Sequence, residues 1–343
     1  MKLMTTTKKK RKFNMTGYRT ILSKGIMSAS AVTRTEQCEQ KAYYEYEDGY
    51  QSVSLGGGLK TGLSMHDGQE MYLNGSNEAA VISSVEAEAE VSGWDEDELF
   101  LPKIRSYIRG YYEHWEVADA DQIADGYFEL LGTEMDFDFD VEGIKFTGRM
   151  DAVLYDGYSD CIILMEHKNV SSKESQDYSS VFWKSLSMNN QATIYSTYLS
   201  LKYKKPVKLW YDVVITSPLS KPKYKPVKTI NKVKQPKERE TIEEFEERLT
   251  STYKNKKEKK YLRRMIPVME EDRSKRMQEI VAIAKKAQAF GYHANPLRNT
   301  TSCRDYGGCQ FLGVCIGEER IYESSKFQVK PHFKEEDSSE QPF

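Results

Sequence analysis

Two carboxylates and an ammonium group stand out by their spacing. Glu166 and Lys168 close the stretch CIILMEHKN, residues 161–169, where Ile162, Ile163, Leu164 and Met165 run straight into Glu-His-Lys-Asn. Such an apolar run reads as a buried strand. Residues two apart on a strand share a face, so Glu166 and Lys168 point the same way. Asp151 lies upstream in GRMDAVL, on a strand joined to the first by the turn residues DGYSD, 156–160. Antiparallel neighbours of this kind can set Asp151 beside Glu166. Two close carboxylates repel unless a proton or a cation lies between them. Oxygen ligands of this type suit Mg²⁺ or Mn²⁺. The adjacent lysine can orient a water or stabilise developing negative charge. The chemistry that fits is phosphodiester cleavage. An isolated E-x-K is ordinarily a surface ion pair; the apolar strand before this one and the G-x-x-D strand across the turn set it apart.

These residues need a sheet to hold them. Met135, Phe137 and Phe139 alternate with acids, as a half-exposed strand does, and after Glu142-Gly143 the segment IKFTGRMDAVLY reads as a second strand. With the strand that begins at Cys161, they form a three-stranded meander. The helix SLSMNNQATIYSTYLSLKY and the strand VKLWYDVVI, 207–215, follow. Earlier, GGG at 56–58 precedes a helix, KTGLSMHDGQEMYL; an acidic loop at roughly 84–98 leads to another helix carrying Leu99, Ile104, Tyr107, Ile108 and Tyr111. Residues 217–262 read as polar and largely helical, and a helix over about 268–291 places Met277, Ile280, Val281, Ala284 and Ala287 on one face. The implied class is α/β: a central mixed sheet flanked by helices, with a helical Lys-rich insertion.

GRMD followed by an apolar strand ending in EHK resembles the core of the PD-(D/E)XK nucleases. Gly62, His66 and Glu70 in GLSMHDGQE resemble the G-x-x-x-H-x-x-x-E helix of the RecB-like exonuclease branch. Gln191 and Tyr195 in QATIY resemble its Q-x-x-x-Y helix. The resemblance implies metal ligation by His66, Asp151, Glu166 and the backbone carbonyl of His167. It also implies that Lys168 orients the attacking water, that Gln191 and Tyr195 position the strand, and that Glu134 adds an outer carboxylate. The opening around Cys38, with Lys41 and Tyr44, resembles the C-x-x-K-x-x-Y of iron–sulfur members, such as AddB-type helicase-nucleases and CRISPR-associated exonucleases. In that reading Cys38, Cys303, Cys309 and Cys315 hold a structural [4Fe–4S] cluster that ties the chain ends around the core. The C-x5-C-x5-C spacing departs from the family's C-x2-C start, and zinc is the alternative occupant. Cys161, inside its strand, reads as a small core residue.

The net charge of −2 conceals segregation: residues 1–25 carry eight Lys/Arg and no acid, 86–98 seven acids and no base, and 221–264 sixteen Lys/Arg against seven acids. Basic segments permit a polyanion, or equally a solvated face. No apolar run reaches the roughly 20 residues of a membrane span, no secretion signal is apparent, and the five cysteines are an odd number. These features point to a cytoplasmic protein without a disulfide framework. The expected organisation is a basic disordered tail (1–29), a nuclease core (30–216), a charged helical insertion (217–292), a cysteine segment (293–320) and a mobile tail (321–343). The expected function is metal-dependent exonuclease action on single-stranded DNA or duplex ends in phage or bacterial recombination, repair or DNA processing. A recombinase or helicase partner is compatible with it. The alternatives are a catalytically inactive DNA-binding protein and a restriction-type endonuclease on the same core.

Overall fold

The computed structural model describes residues 20–53, 56–124, 127–171, 176–216, 222–223, 229–230, 233–234 and 239–330. In chain order the first elements are β1 (Ile26–Ser28), α1 (Ala29–Gln37), α2 (Glu39–Tyr46), β2 (Tyr50–Ser52), α3 (Gly57–Leu73), α4 (Glu78–Val91) and α5 (Phe100–Ala124). Next come β3 (Phe128–Val141), β4 (Ile144–Asp156), β5 (Cys161–Val170), α6 (Val181–Leu186), α7 (Asn190–Tyr203) and β6 (Val207–Ile215). The remainder are β7 (Thr229–Ile230), β8 (Val233–Lys234), α8 (Ile242–Asn255), β9 (Tyr261–Ile266), α9 (Glu270–His293), α10 (Leu312–Cys315) and β10 (Phe327–Val329). The chain divides into two compact units. Unit 1 draws on residues 1–53, 136–148 and 279–343, and unit 2 on 54–135 and 149–278.

Unit 2 is an α/β fold around a mixed sheet. β4 pairs antiparallel with β5, placing Ala152 opposite Met165; β5 pairs parallel with β6; and β6 pairs antiparallel with β9. The parallel pair requires a crossover, and α6 and α7 supply it. The DGYSD turn between β4 and β5 is closed by Asp156, whose Oδ1 accepts from the N–H groups of Tyr158 and Ser159, both at 3.0 Å. α7 packs on β5 and β6, α3 packs on β5, and α5 runs along α8. The main core joins Met65, Val81, Ile104, Tyr107, Tyr111, Phe245, Leu249, Tyr253 and Tyr261. At Gly110 on α5 a Cβ would collide with the Tyr261 hydroxyl, which donates to Tyr107 O at 2.8 Å. Cys161 belongs to a second core cluster with Ala152, Leu154, Ile163 and Met165.

Unit 1 is built from short elements. β1 pairs parallel with the start of β4, Met27 opposite Phe146, and β10 pairs antiparallel with β2. The β3–β4 turn falls at Glu142-Gly143, with φ of 50° and 81°. Two positive φ values in a two-residue loop match the twist of a hairpin. Phe311 stacks on Phe327 with centroids 5.0 Å apart, and Tyr44 leans on Phe311.

Three expectations need correction. The segment read as an acidic loop is helical as far as Val91, because Val81, Val85 and Ala89 repeat every fourth residue and are buried. Asn77 caps that helix, its side chain accepting from Ala80 N at 2.9 Å. Within the stretch read as helical after 217, residues 261–266 form β9, where pairing with β6 and burial of Tyr261, Leu262 and Ile266 override the surrounding lysines. Ile26–Ser28 and Phe327–Val329, read as parts of loose tails, are strands, because each finds a pairing partner far away in sequence. The rest of those tails, 1–19 and 331–343, lies outside the described residues.

Candidate active site and thiol cluster

Helix α3 and strands β3, β4 and β5 supply the polar groups of one site in unit 2. His66 Nδ1 lies 3.5 Å from Asp151 Oδ1. Among the described residues, His66, Glu134 and Asp151 form a group whose ligand atoms all lie within 4.8 Å of one another. The backbone N–H of His167 donates to Asp151 Oδ2 at 2.7 Å. Glu166 is 1% exposed and neither of its oxygens has a hydrogen-bond partner; Lys168 Nζ approaches Oε2 at 3.6 Å. Lys168 Nζ also donates to Gln191 Oε1 at 2.9 Å, which fixes the ammonium between strand and helix.

The electrostatics split the two carboxylates. Burial drives Asp151 upward, but His66, His167 and the His167 N–H outweigh it and hold the carboxyl at about 2. Burial and the Asp151 charge push Glu166 well above the usual carboxylate range, against the opposing pull of Lys168. Burial, Asp151 and Glu70 likewise push Glu134 up to about 7. Close, buried carboxyl groups that resist ionising together are stabilised by a cation placed between them. The donor set of carboxylate oxygens with one imidazole therefore fits a divalent cation.

The sequence placed Glu134 in an outer role; it stands instead in the compact group with His66 and Asp151. Its φ of 46° is left-handed, a conformation a non-glycine residue adopts at a cost of about 1–3 kcal/mol. Arg149 lies 3.7 Å from it. Glu166 falls outside that group and faces Lys168. Glu70, one turn beyond His66, is buried. Burial and the charges of Glu166 and Asp151 raise the Tyr195 phenol well above its ordinary range, which sets Tyr195 near both carboxylates. Sequence reading missed Asp212, buried on β6, and Arg263, half-buried on β9, on the two strands that follow β5 across the sheet. A charged residue in the middle of VKLWYDVVI was the available signal.

Unit 1 gathers the four predicted cysteines. Cys38 sits at the junction of α1 and α2, and its Sγ accepts from Asn299 N at 3.4 Å. Asn299 Nδ2 donates to Gln37 O at 2.8 Å, and Leu297 N donates to Glu39 Oε2 at 3.0 Å. A 3₁₀ helix over Thr300–Gly307 carries Cys303, and Cys309 N donates back to Cys303 O at 2.9 Å. Gly308, with φ of 115°, makes that reversal possible. The long C-x5-C spacing is thus drawn short. Burial raises the Cys315 thiol, and the neighbouring sulfurs of Cys309, Cys38 and Cys303 raise it further, so all four thiols share one locality. All are free, and no three of their sulfurs lie within 4.8 Å of one another.

Comparison with known proteins follows this geometry. The profile of the PD-(D/E)XK nuclease superfamily matches residues 26–316. Among solved structures, a candidate exonuclease from Eubacterium rectale is similar, with a TM-score of 0.47, 10% identity, and coverage of 94% of this chain and 96% of that one. No curated protein sequence matches. Among the described residues, no helix is long and apolar enough to cross a membrane.

Proposed function

Because this chain belongs to the PD-(D/E)XK nuclease superfamily, we propose that it is a Mg²⁺- or Mn²⁺-dependent deoxyribonuclease of the RecB-like kind that hydrolyses DNA from an end. The observation that carries the reading is the buried, hydrogen-bond-free Glu166 beside an ionised Asp151, with Lys168 held against both Glu166 and Gln191. His66, Asp151, Glu166 and the His167 carbonyl hold the ion, and Glu134 is close enough to His66 and Asp151 to join them. A divalent ion held there would lower the pKa of a water and neutralise charge on the phosphoryl oxygens. Lys168 orients the attacking water. As the water oxygen bonds to phosphorus and gives up a proton to solvent, the bond to the leaving sugar oxygen breaks, and that oxygen takes up a proton from solvent. Gln191 fixes Lys168, and Tyr195 lines the wall against which the strand is positioned.

In unit 1, Cys38, Cys303, Cys309 and Cys315 hold a [4Fe–4S] cluster in this reading. A backbone N–H already directed at Cys38 Sγ is the kind of contact that tunes such clusters. The cluster is structural. The segregated basic residues of 217–292 follow the DNA backbone, and the protein acts in the cytoplasm in recombination or DNA processing.

Digestion of end-labelled linear DNA, single- and double-stranded, with Mn²⁺ or Mg²⁺ tests this, with a closed circle and Lys168→Ala alongside. Protein is purified without air. Degradation of linear DNA, survival of the circle and an inert Lys168→Ala are expected. Cleavage of the circle makes it an endonuclease; binding without cleavage makes it a DNA-binding protein.

A further inference from the structure

Unit 2 contains a second polar cluster that the proposed reaction does not use. His167, Asp212 and Arg263 lie opposite one another on the adjacent strands β5, β6 and β9. Asp212 is fully buried. Its Oδ2 accepts from Tyr111 Oη, from Gln69 Nε2 at 3.4 Å and from Arg263 Nη2 at 3.4 Å, and it faces His167 Nδ1 at 3.4 Å. Each of these neighbours is a donor. Arg263 Nη1 in turn donates to Asp119 Oδ1 at 2.6 Å, and Asp119 Oδ2 accepts from Tyr72 Oη at 2.9 Å. Burial opposes a charge on Asp212, but Arg263, His167 and Tyr111 outweigh it and keep the carboxyl well below its usual range.

A carboxylate facing Nδ1 places the ring hydrogen there and leaves Nε2 with its lone pair. His167 is 1% exposed and neither ring nitrogen has a hydrogen-bond partner in the protein; Nδ1 is the one that faces a carboxylate, at 3.4 Å, and Nε2 faces none. A buried acceptor left unpaired costs about 1–3 kcal/mol. The ring stands edge-on to His66, with centroids 5.8 Å apart and an interplanar angle of 85°. It is also close enough to Asp151 to favour the ionised form of that carboxyl. An imidazole backed by a carboxylate on one nitrogen and open on the other is the arrangement of metal-ligating histidines. A nitrogen about 2.1 Å from an ion puts its ring centroid about 3.3 Å away, so two rings on one ion have centroids up to about 6.5 Å apart. The observed separation falls inside that limit.

We propose that the ring of His167, through Nε2, is a second nitrogen ligand of the ion bound by His66 and Asp151, with Asp212 as the carboxylate that orients it. This rests on the metal-dependent reading of the site and assigns the side chain a role beyond that of the backbone carbonyl. Like Glu166, His167 lies outside the compact 4.8 Å group, so binding draws both inward; sites without their ligand are commonly looser. Two imidazoles on the ion also shift its preference from Mg²⁺ toward Mn²⁺.

The test is electron spin-echo envelope modulation on the Mn²⁺ complex of metal-stripped full-length protein, with Mn²⁺ affinity measured by calorimetry. Couplings from two imidazole nitrogens are expected in the wild type, and one alone overturns the proposal. His66→Gln changes a partly exposed residue and leaves the buried network intact. It should keep one nitrogen coupling; loss of all nitrogen modulation with Mn²⁺ still bound also overturns it. His167→Gln preserves the backbone carbonyl, so a purely carbonyl ligand predicts unchanged affinity. The ring ligand predicts roughly 10–100-fold weaker Mn²⁺ binding and the loss of one coupling, and Asp212→Asn should weaken binding about tenfold. Wild-type protein that binds no Mn²⁺ would instead sink the metal-dependent reading itself.

Discussion

The two units gather donors of opposite character on supports of opposite character. In unit 2, hard oxygen and imidazole donors stand on long elements, with the 17-residue α3 and the 13- and 10-residue strands β4 and β5 setting their spacing. In unit 1, four soft thiols stand on or beside short elements, and α10 has only four residues. The first arrangement is carried by long elements, and it stores unfavourable charge: Glu166 is buried without a hydrogen bond. The second is more open, since its four free thiols are all partly accessible. A ligand should therefore complete the chemistry of unit 2 and the stability of unit 1.

The largest expected effect tests the first half of that contrast. Lys168→Ala and Asp151→Asn should each lower nuclease turnover by about 10³-fold or more; Lys168→Ala should leave the melting temperature nearly unchanged, whereas Asp151→Asn should lower it at neutral pH, because the folded state holds that carboxyl below its usual range. A residual rate within tenfold of wild type would remove either residue from the chemistry. Glu166→Gln should likewise abolish cleavage, yet without metal it should raise stability by about 1–3 kcal/mol, because it replaces a buried group whose charged form has no hydrogen bond. Chemical denaturation in chelator, against the same measurement with Mn²⁺, checks this. The gain should vanish or reverse when the ion is present, and a destabilised variant in chelator would show that Glu166 carries no such strain.

The meander, the E-x-K strand, the histidine helix and the cysteine set were legible because each is a local pattern of residue types. The strand 207–215 was readable to its ends, since an unbroken apolar run has few other uses. What escaped depends on long-range pairing. β9 is written in Lys- and Arg-rich sequence and becomes a strand only because β6 has a free edge. The row His167–Asp212–Arg263 exists only in the register of three strands, two of them parallel, and no spacing in the chain announces it. Glu134 was given only an outer role, and nothing in the sequence marks the left-handed φ that takes it off the strand path.

A smaller effect separates the units directly. Cys309→Ser should strip the brown absorbance of anaerobically purified protein and its iron. The first thermal transition should fall by about 2–5 kcal/mol in stability, the scale on which small domains depend on a cross-link. Mn²⁺ affinity at the unit 2 site should stay within about twofold. Bound zinc in place of iron would change the occupant and leave the contrast standing. Loss of Mn²⁺ binding together with the iron would break it.

The smallest effect concerns a charge that unit 1 does store. Burial, with the neighbouring Glu47 charge, raises the Asp48 carboxyl to about 6, against about 3.9 for an unperturbed aspartate. A carboxyl that holds its proton more tightly in the folded state stabilises the fold fully only below the unfolded value. That stability is lost as pH rises from about 4 to about 6, and the loss is complete at neutral pH. A shift of about 2 units would correspond to roughly 3 kcal/mol, but Asp48 is partly exposed, and solvent screening reduces this to about 1 kcal/mol. Asp48→Asn should therefore raise the melting temperature by a few degrees at pH 7.5 and leave it unchanged near pH 4. An equal rise at both values would trace the gain to side-chain packing instead of charge. No rise at either would mean that unit 1 holds Asp48 in a setting as favourable as water, leaving Glu166 as the more costly of the two buried carboxyls.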